Sequence, residues 1–180
     1  MHVSPQSLPR MTPDEYLAFE QDQELRHELV GGYLYAMNGS SDRHEEIALN
    51  LAASLRQHLK GSNCRVYKGD LKIRVDDEFY YPDVFVRCGE QRGDPYFKTD
   101  PVVIAEVLSP GTQRYDRGDK RLAYSRLPTL KHYLLIAQDR MQVELYAPGD
   151  YRNCQRYEHP EDQLRLEAIG FSITLAELYA

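Results

Sequence analysis

Hydrophobic spacing divides the chain into a helical first third and a strand-rich middle. Ile47, Ala48, Leu51, Ala52, Leu55 and Leu59 recur at three- and four-residue intervals, the period of a helix that buries one face. Asp42 with Glu45 three positions later supplies a capping pattern for this helix, and Gly61 ends it. A shorter helix is announced upstream by Thr12-Pro13-Asp14-Glu15, which offers an N-cap hydroxyl, a proline at the first helical position and an acid in the first turn; it runs to Gln21. Between the two, His27 to Val30 and Tyr33 to Met37 read as arms of a hairpin. Gly31-Gly32 joins them, a pair that tolerates the positive φ of a two-residue turn.

The period then changes to two. Leu71, Ile73 and Val75 alternate with polar residues, Asp76-Asp77-Glu78 marks a turn, and YYPDVFV resumes a β-rich run. PVVIAEVL is the continuous apolar stretch of a strand buried on both faces, broken only by Glu106. After a turn at Ser109-Pro110-Gly111, a helix is expected over Tyr115 to Arg126, then a second apolar strand, HYLLIA. A last hairpin pairs QVELYA with YRNCQRY across Pro148-Gly149-Asp150. Residues 1–11 carry no period and read as a loose arm, and residues 12–180 suit a single domain. The fold class expected is α/β, an α+β sandwich whose mixed central sheet is flanked by helices.

Composition adjusts this picture in three places. No apolar run approaches the roughly 20 residues that span a bilayer, and the opening MHVSPQSLPR lacks the apolar core of a secretory signal, so no membrane partner and a cytoplasmic location are expected. Cys64, Cys88 and Cys154 are odd in number and show no CxxC spacing, which speaks for buried free thiols over a disulfide framework or a zinc site. The net charge of −6 requires any contact with nucleic acid to come from a local basic patch.

The candidate chemistry begins with two acids in apolar strand runs, Asp83 and Glu106. An unpaired carboxylate is expensive to bury, and hard oxygen ligands on neighbouring strands suit Mg²⁺ or Mn²⁺. The bland alternative places each acid at a strand end in water or beside an arginine. Helical spacing puts Asp116, Lys120, Ala123, Tyr124 and Leu127 on one stripe, so Lys120 points inward at its base, where it can hold a nucleophilic water or stabilise developing charge. Its bland alternative is an i−4 pair with Asp116 or a snorkelled surface position. Arg114, Arg117 and Arg121 lie on the opposite stripe, a solvated face by default and the best candidates for phosphate contacts. Tyr115 and Tyr124 line either the cleft or the core.

Pro82-Asp83 followed by Glu106 on the next strand resembles the PD-(D/E)xK nuclease signature. The run IAEVLSPGTQRYDRGDKRLAYSRLPTLKHYLLI is similar to the Uma-type family of restriction-endonuclease-like proteins, as are His27-Glu28-Leu29-Val30-Gly31-Gly32-Tyr33 and the helix that opens at His44. The resemblance covers residues 12–150 and implies a restriction-endonuclease-like core and metal-dependent hydrolysis of DNA. In that scheme Asp83 and Glu106 hold Mg²⁺ or Mn²⁺, Glu28 is a third acid of the cluster or a surface acid, and Lys120 is the catalytic lysine. Leu108 stands where the superfamily's simplest pattern has a lysine, and the resemblance implies that Lys120 takes its place from the following helix. Two other classes stay open: a catalytically inactive nucleic-acid-binding module and a structural or assembly protein. A homodimer is expected, because the hairpins at Glu28–Met37 and Gln142–Tyr157 offer edges for pairing.

Overall fold

The computed structural model describes residues 10–180 apart from 38, 91, 110, 112, 148 and 149. The first helix, α1 (Pro13–Gln21), begins as its sequence dictates: Thr12 caps it, the Thr12 and Glu15 side chains bond each other's backbone amides, and proline stands in the first turn. Strands β1 (His27–Val30) and β2 (Tyr33–Ala36) form the expected hairpin, with both Gly31 and Gly32 at positive φ. The expected loose arm lies outside the described residues up to position 9. Its end is held, since the Met11 amide donates to the Gly32 carbonyl at 2.8 Å and the Arg10 guanidinium lies over the Tyr33 ring.

Helix α2 (Asp42–His58) starts one residue earlier than the capping pattern implied. Ser41, not Asp42, is the N-cap, and its hydroxyl accepts from the His44 amide. Its apolar stripe, including Ile47, Leu51 and Leu55, is fully buried.

The central sheet has six strands in the order β11-β10-β9-β8-β6-β3: β11 (Asp150–Tyr157), β10 (Val143–Ala147), β9 (His132–Ala137), β8 (Pro101–Leu108), β6 (Val84–Cys88) and β3 (Cys64–Lys68). Only β8 and β9 run parallel, and the helical segment α3, residues 113–124, supplies the crossover they need. Alternation along β8 fixes what each face meets. Val103, Ala105 and Val107 pack against α2, while Ile104 and Leu108 face a cluster with Ala123, Tyr124 and Leu127. A five-stranded sheet, β2-β1-β5-β4-β7, adds β5 (Glu78–Tyr80), β4 (Lys72–Val75) and β7 (Phe97–Lys98). Its Ile73, Val75 and Tyr80 join the α3 side of the core.

The C-terminal stretch, which periodicity did not resolve, forms a small hairpin of β12 (Gln163–Leu166) and β13 (Phe171–Thr174) and a closing helical turn, Leu175–Leu178. Leu164, Leu166, Phe171 and Ile173 share the core cluster of α2. No helix among the described residues is long and apolar enough to cross a membrane. The expected turn at Pro148-Gly149-Asp150 falls largely outside the described residues, although the strands it joins are paired.

The cysteine expectation is corrected. Cys64 and Cys88 face each other across β3 and β6 and are joined in a disulfide, leaving Cys154 as the free thiol. Their separation of 24 residues hides a neighbourhood that strand pairing creates. Closing a loop of this size restricts the unfolded chain by about 3 kcal/mol. Urea unfolding with and without a reductant should differ by about that amount. Cys154→Ser should leave the difference unchanged, and an equal midpoint in both conditions would show that the bridge contributes nothing.

Candidate active site

The antiparallel register of β6 and β8 pairs Val84 with Ala105. Asp83 immediately precedes β6 and so lies at the end of this ladder, next to the Glu106 end of the pairing. The Val107 amide donates to Asp83 Oδ2 at 2.7 Å, so the first acid is tied to the strand that carries the second. Glu106 is buried in an otherwise apolar strand and faces α3.

Residues 113–124 are not one regular helix. An α-helical turn at Gln113–Tyr115 and another at Arg121–Tyr124 flank a π-helical turn at Asp116–Lys120. Such wide turns re-aim side chains and recur at functional sites. This one carries Asp116 and Lys120, both buried, and the full stripe down to Leu127 faces inward as its spacing predicts.

The Lys120 ammonium is the centre of the site. It lies 2.9 Å from Glu28 Oε1, 3.2 Å from Glu106 Oε1 and 3.6 Å from Asp116 Oδ1. The bland reading of Lys120, a pair with Asp116, is thus true of its longest contact and leaves out the two shorter ones. Tyr124 donates to Glu106 Oε1 at 3.0 Å, and the Tyr81 amide donates to Glu28 Oε1 at 3.0 Å. Glu28 is a buried member of this cluster, not a surface acid.

Charge in this pocket is unbalanced. Burial pushes the Glu106 carboxyl well above the usual carboxylate range. Lys120 opposes that rise, whereas Asp116, Asp83 and Glu28 add to it. Burial also works against the charge on Lys120, yet Glu106 and Glu28 beside it hold its ammonium well above its ordinary value. Three carboxyl groups surround one ammonium, and Asp83 adds a fourth negative group at the rim.

Asp83 lies at the rim, with its side chain about one-fifth exposed, and its Oδ2 is also 3.2 Å from His44 Nε2. Oδ1 of Asp83 and Oε2 of Glu106 make no hydrogen bond among the described residues. One hard oxygen from each acid is therefore available to a divalent ion, and Mg²⁺ commonly takes only one or two carboxylates together with water and substrate phosphate. The donor chemistry fits such an ion at Asp83 and Glu106. No three His, Cys, Asp or Glu among the described residues form a ready-made ligand set, because Lys120 holds the space between Glu28 and Glu106.

The arginine stripe divides. Arg114 is exposed. Arg117 pairs with the buried Glu144 of β10 at 3.2 Å, and the Arg121 guanidinium lies over the Tyr146 ring of the same strand. In the sequence His44 marks only the start of a helix and Tyr81 carries no site motif, because neither the His44–Asp83 nor the Tyr81–Glu28 contact has a local signal. Tyr124 was legible as an inward residue of the lysine stripe.

The family model "Uma2: Putative restriction endonuclease" matches residues 13–176. The chain belongs to this family. A relative in Synechocystis sp., "Uncharacterized protein slr1290", is 35% identical over 182 residues, covering 99% of this chain and 96% of its own. A second from the same organism, "Uncharacterized protein sll1609", is 29% identical over 141 residues, with 76% and 80% covered. Among solved structures, a crystal structure from Anabaena variabilis described as a putative nuclease belonging to DUF820 superposes with a TM-score of 0.81. It shares 18% identity and covers 94% of this chain and 97% of that one. The Uma2 chain thus has the restriction-endonuclease-like nuclease fold, a mixed α+β architecture with sheets flanked by helices.

Two consequences of the charge imbalance are measurable in chelator. Removing the ammonium by Lys120→Met leaves buried carboxylates uncompensated and should destabilise the protein by about 3–5 kcal/mol. The carboxyl of Glu106 is raised in the folded state, so its contribution is present below the unfolded pKa of about 4 and lost as pH rises. Glu106→Gln should therefore gain stability relative to wild type between pH 4 and pH 8 in urea melts. A gain that shrinks with rising pH would mean that Lys120 fully compensates the acid.

Proposed function

We propose that this protein is a metal-dependent endonuclease that hydrolyses DNA phosphodiester bonds. The observation that carries the proposal is the placement of Asp83, just before β6 and held by the Val107 amide, beside Glu106 of the adjacent strand β8, with the Lys120 ammonium against Glu106. A membership described in terms of restriction endonucleases supports the same reaction class.

In this proposal Asp83 and Glu106 hold Mg²⁺ or Mn²⁺, which when bound lowers the pKa of water and neutralises charge on the phosphate. Lys120 fixes the Glu106 carboxylate and sets a positive charge beside the place where charge develops on the phosphate oxygens. Glu28 and Asp116 keep that ammonium charged and fix its position, a preorganisation that needs no rearrangement during reaction. Tyr124 donates to the same Glu106 oxygen and limits its rotation. Arg114 is the arginine of α3 best placed to meet phosphate from solvent, since Arg117 and Arg121 are engaged by β10. We also propose a homodimer, in which β2 and β11, the outermost strands of their sheets, supply the pairing edges.

A second reading, an inactive binding module of the same fold, draws on the enclosure of Lys120 by three carboxylates and on Leu108 at the position of the same-strand lysine. Cleavage assays with Mg²⁺ or Mn²⁺ on single-stranded, duplex and branched DNA separate the two. The nuclease reading expects wild-type cleavage that falls by about 100-fold or more in Asp83→Asn and Lys120→Met. Wild-type protein that gains stability from Mn²⁺ yet cuts none of the three substrates would establish the binding module instead.

A further inference from the structure

The proposed metal site leaves unexplained a buried histidine at the start of α2. His44 is the third residue of that helix, its amide is clamped by the Ser41 hydroxyl at 3.2 Å, and only 8% of its surface is exposed. The other inward residues of α2 are aliphatic and meet apolar strand residues. An unpaired buried polar group costs about 1–3 kcal/mol, and Nδ1 of this ring makes no hydrogen bond among the described residues, so the ring's place here rests on Nε2. Its Nε2 lies 3.2 Å from Asp83 Oδ2.

That same oxygen accepts the Val107 amide at 2.7 Å. Donors from α2 and from β8 therefore converge on one oxygen of Asp83, while Oδ1 carries no hydrogen bond among the described residues. Val107 directly follows Glu106, so the amide that grips Asp83 is fixed to the strand of the second acid. Asp83 itself precedes β6, and its side chain is the most exposed of the acids around the site. A carboxylate at such a position would otherwise sample several rotamers, each separating its oxygens differently from Glu106.

We infer that His44 is a positioning residue: by donating from Nε2 to Asp83 Oδ2 it locks the carboxylate so that Oδ1 is presented to a divalent ion shared with Glu106. The inference rests on the metal-binding part of the proposed function and deepens it, assigning to α2 a role in the site besides core packing. Partners that orient a metal-ligating side chain typically change metal affinity by about 10–100-fold when removed.

The test is a Mn²⁺ titration followed by thermal unfolding of chelator-stripped protein, with Mn²⁺ as the only added ligand, for wild type, His44→Gln and His44→Leu. Both substitutions fill the space, and only glutamine keeps a side-chain N–H near the position of Nε2. The expected result is that His44→Leu needs about 10–100-fold more Mn²⁺ for the wild-type rise in melting temperature, while His44→Gln stays within a few-fold of wild type. In the cleavage assay, the Mn²⁺ concentration for half-maximal rate should rise in His44→Leu more than the rate at saturating Mn²⁺ falls. Equal Mn²⁺ responses in wild type and His44→Leu overturn the inference and leave the nuclease proposal standing. Equal losses in both variants also overturn it, since the shape of the ring and not its donor would then matter. A wild-type protein with no response to Mn²⁺ removes the metal site and the inference together.

Discussion

A single buried ammonium organises the centre of this molecule. Lys120 has exchanged water for contacts with Glu28, Glu106 and Asp116, which come from β1, β8 and its own helical segment. Burying any one of these groups alone costs several kcal/mol, so their presence in the core depends on all of them arriving together. The pairings tie the five-stranded sheet and the central sheet to α3, because Glu28 of the one and Glu106 of the other both meet the Lys120 ammonium. More negative than positive groups remain after the pairing, and the Glu106 carboxyl is raised well above the usual carboxylate range in consequence of its burial and of the acids around it.

The backbone is shaped to deliver these groups. Parity along β8 sends Glu106 to the α3 face while its neighbours Ala105 and Val107 meet α2. The β6–β8 register ends at Val84 and Ala105, and just beyond it the Val107 amide ties Asp83 to the strand that carries Glu106. On the far side, the π-helical turn places Asp116 and Lys120 against the sheet, and the Tyr133 hydroxyl steadies the turn by donating to the Asp116 carbonyl at 3.0 Å.

A second buried polar network supports Glu28 and Asp83 from behind. Glu20 of α1 accepts the His27 amide at 2.8 Å and the Tyr81 hydroxyl at 3.0 Å, and Tyr16 donates to the His27 carbonyl at 2.6 Å. His27 precedes Glu28 in β1, and Tyr81 stands two residues before Asp83 while its amide holds Glu28. The short helix α1 is thus coupled to both acids through hydrogen bonds that are nearly dry, where such bonds are strong when complete and costly when broken.

Local pattern in the chain is enough for most of the helices and central strands and for the faces they bury. Thr12-Pro13 started α1, Gly31-Gly32 turned the first hairpin, the stripe from Ile47 to Leu55 became the buried face of α2, and Asp116, Lys120 and Tyr124 shared one side of α3. These features depend on neighbours within a few positions, and local periodicity and capping report them directly. Only the tertiary structure decided that Glu28 reaches Lys120 and that His44 meets Asp83. The same packing joins Cys64 to Cys88 and lays the half-buried Arg117 and Arg121 against β10. The C-terminal hairpin belongs with these, since Leu164 and Phe171 gain their meaning only from the α2 face they cover. Each is a contact between residues far apart in the chain, set by strand register and by the packing of one element on another, and no short-range pattern in the sequence encodes either.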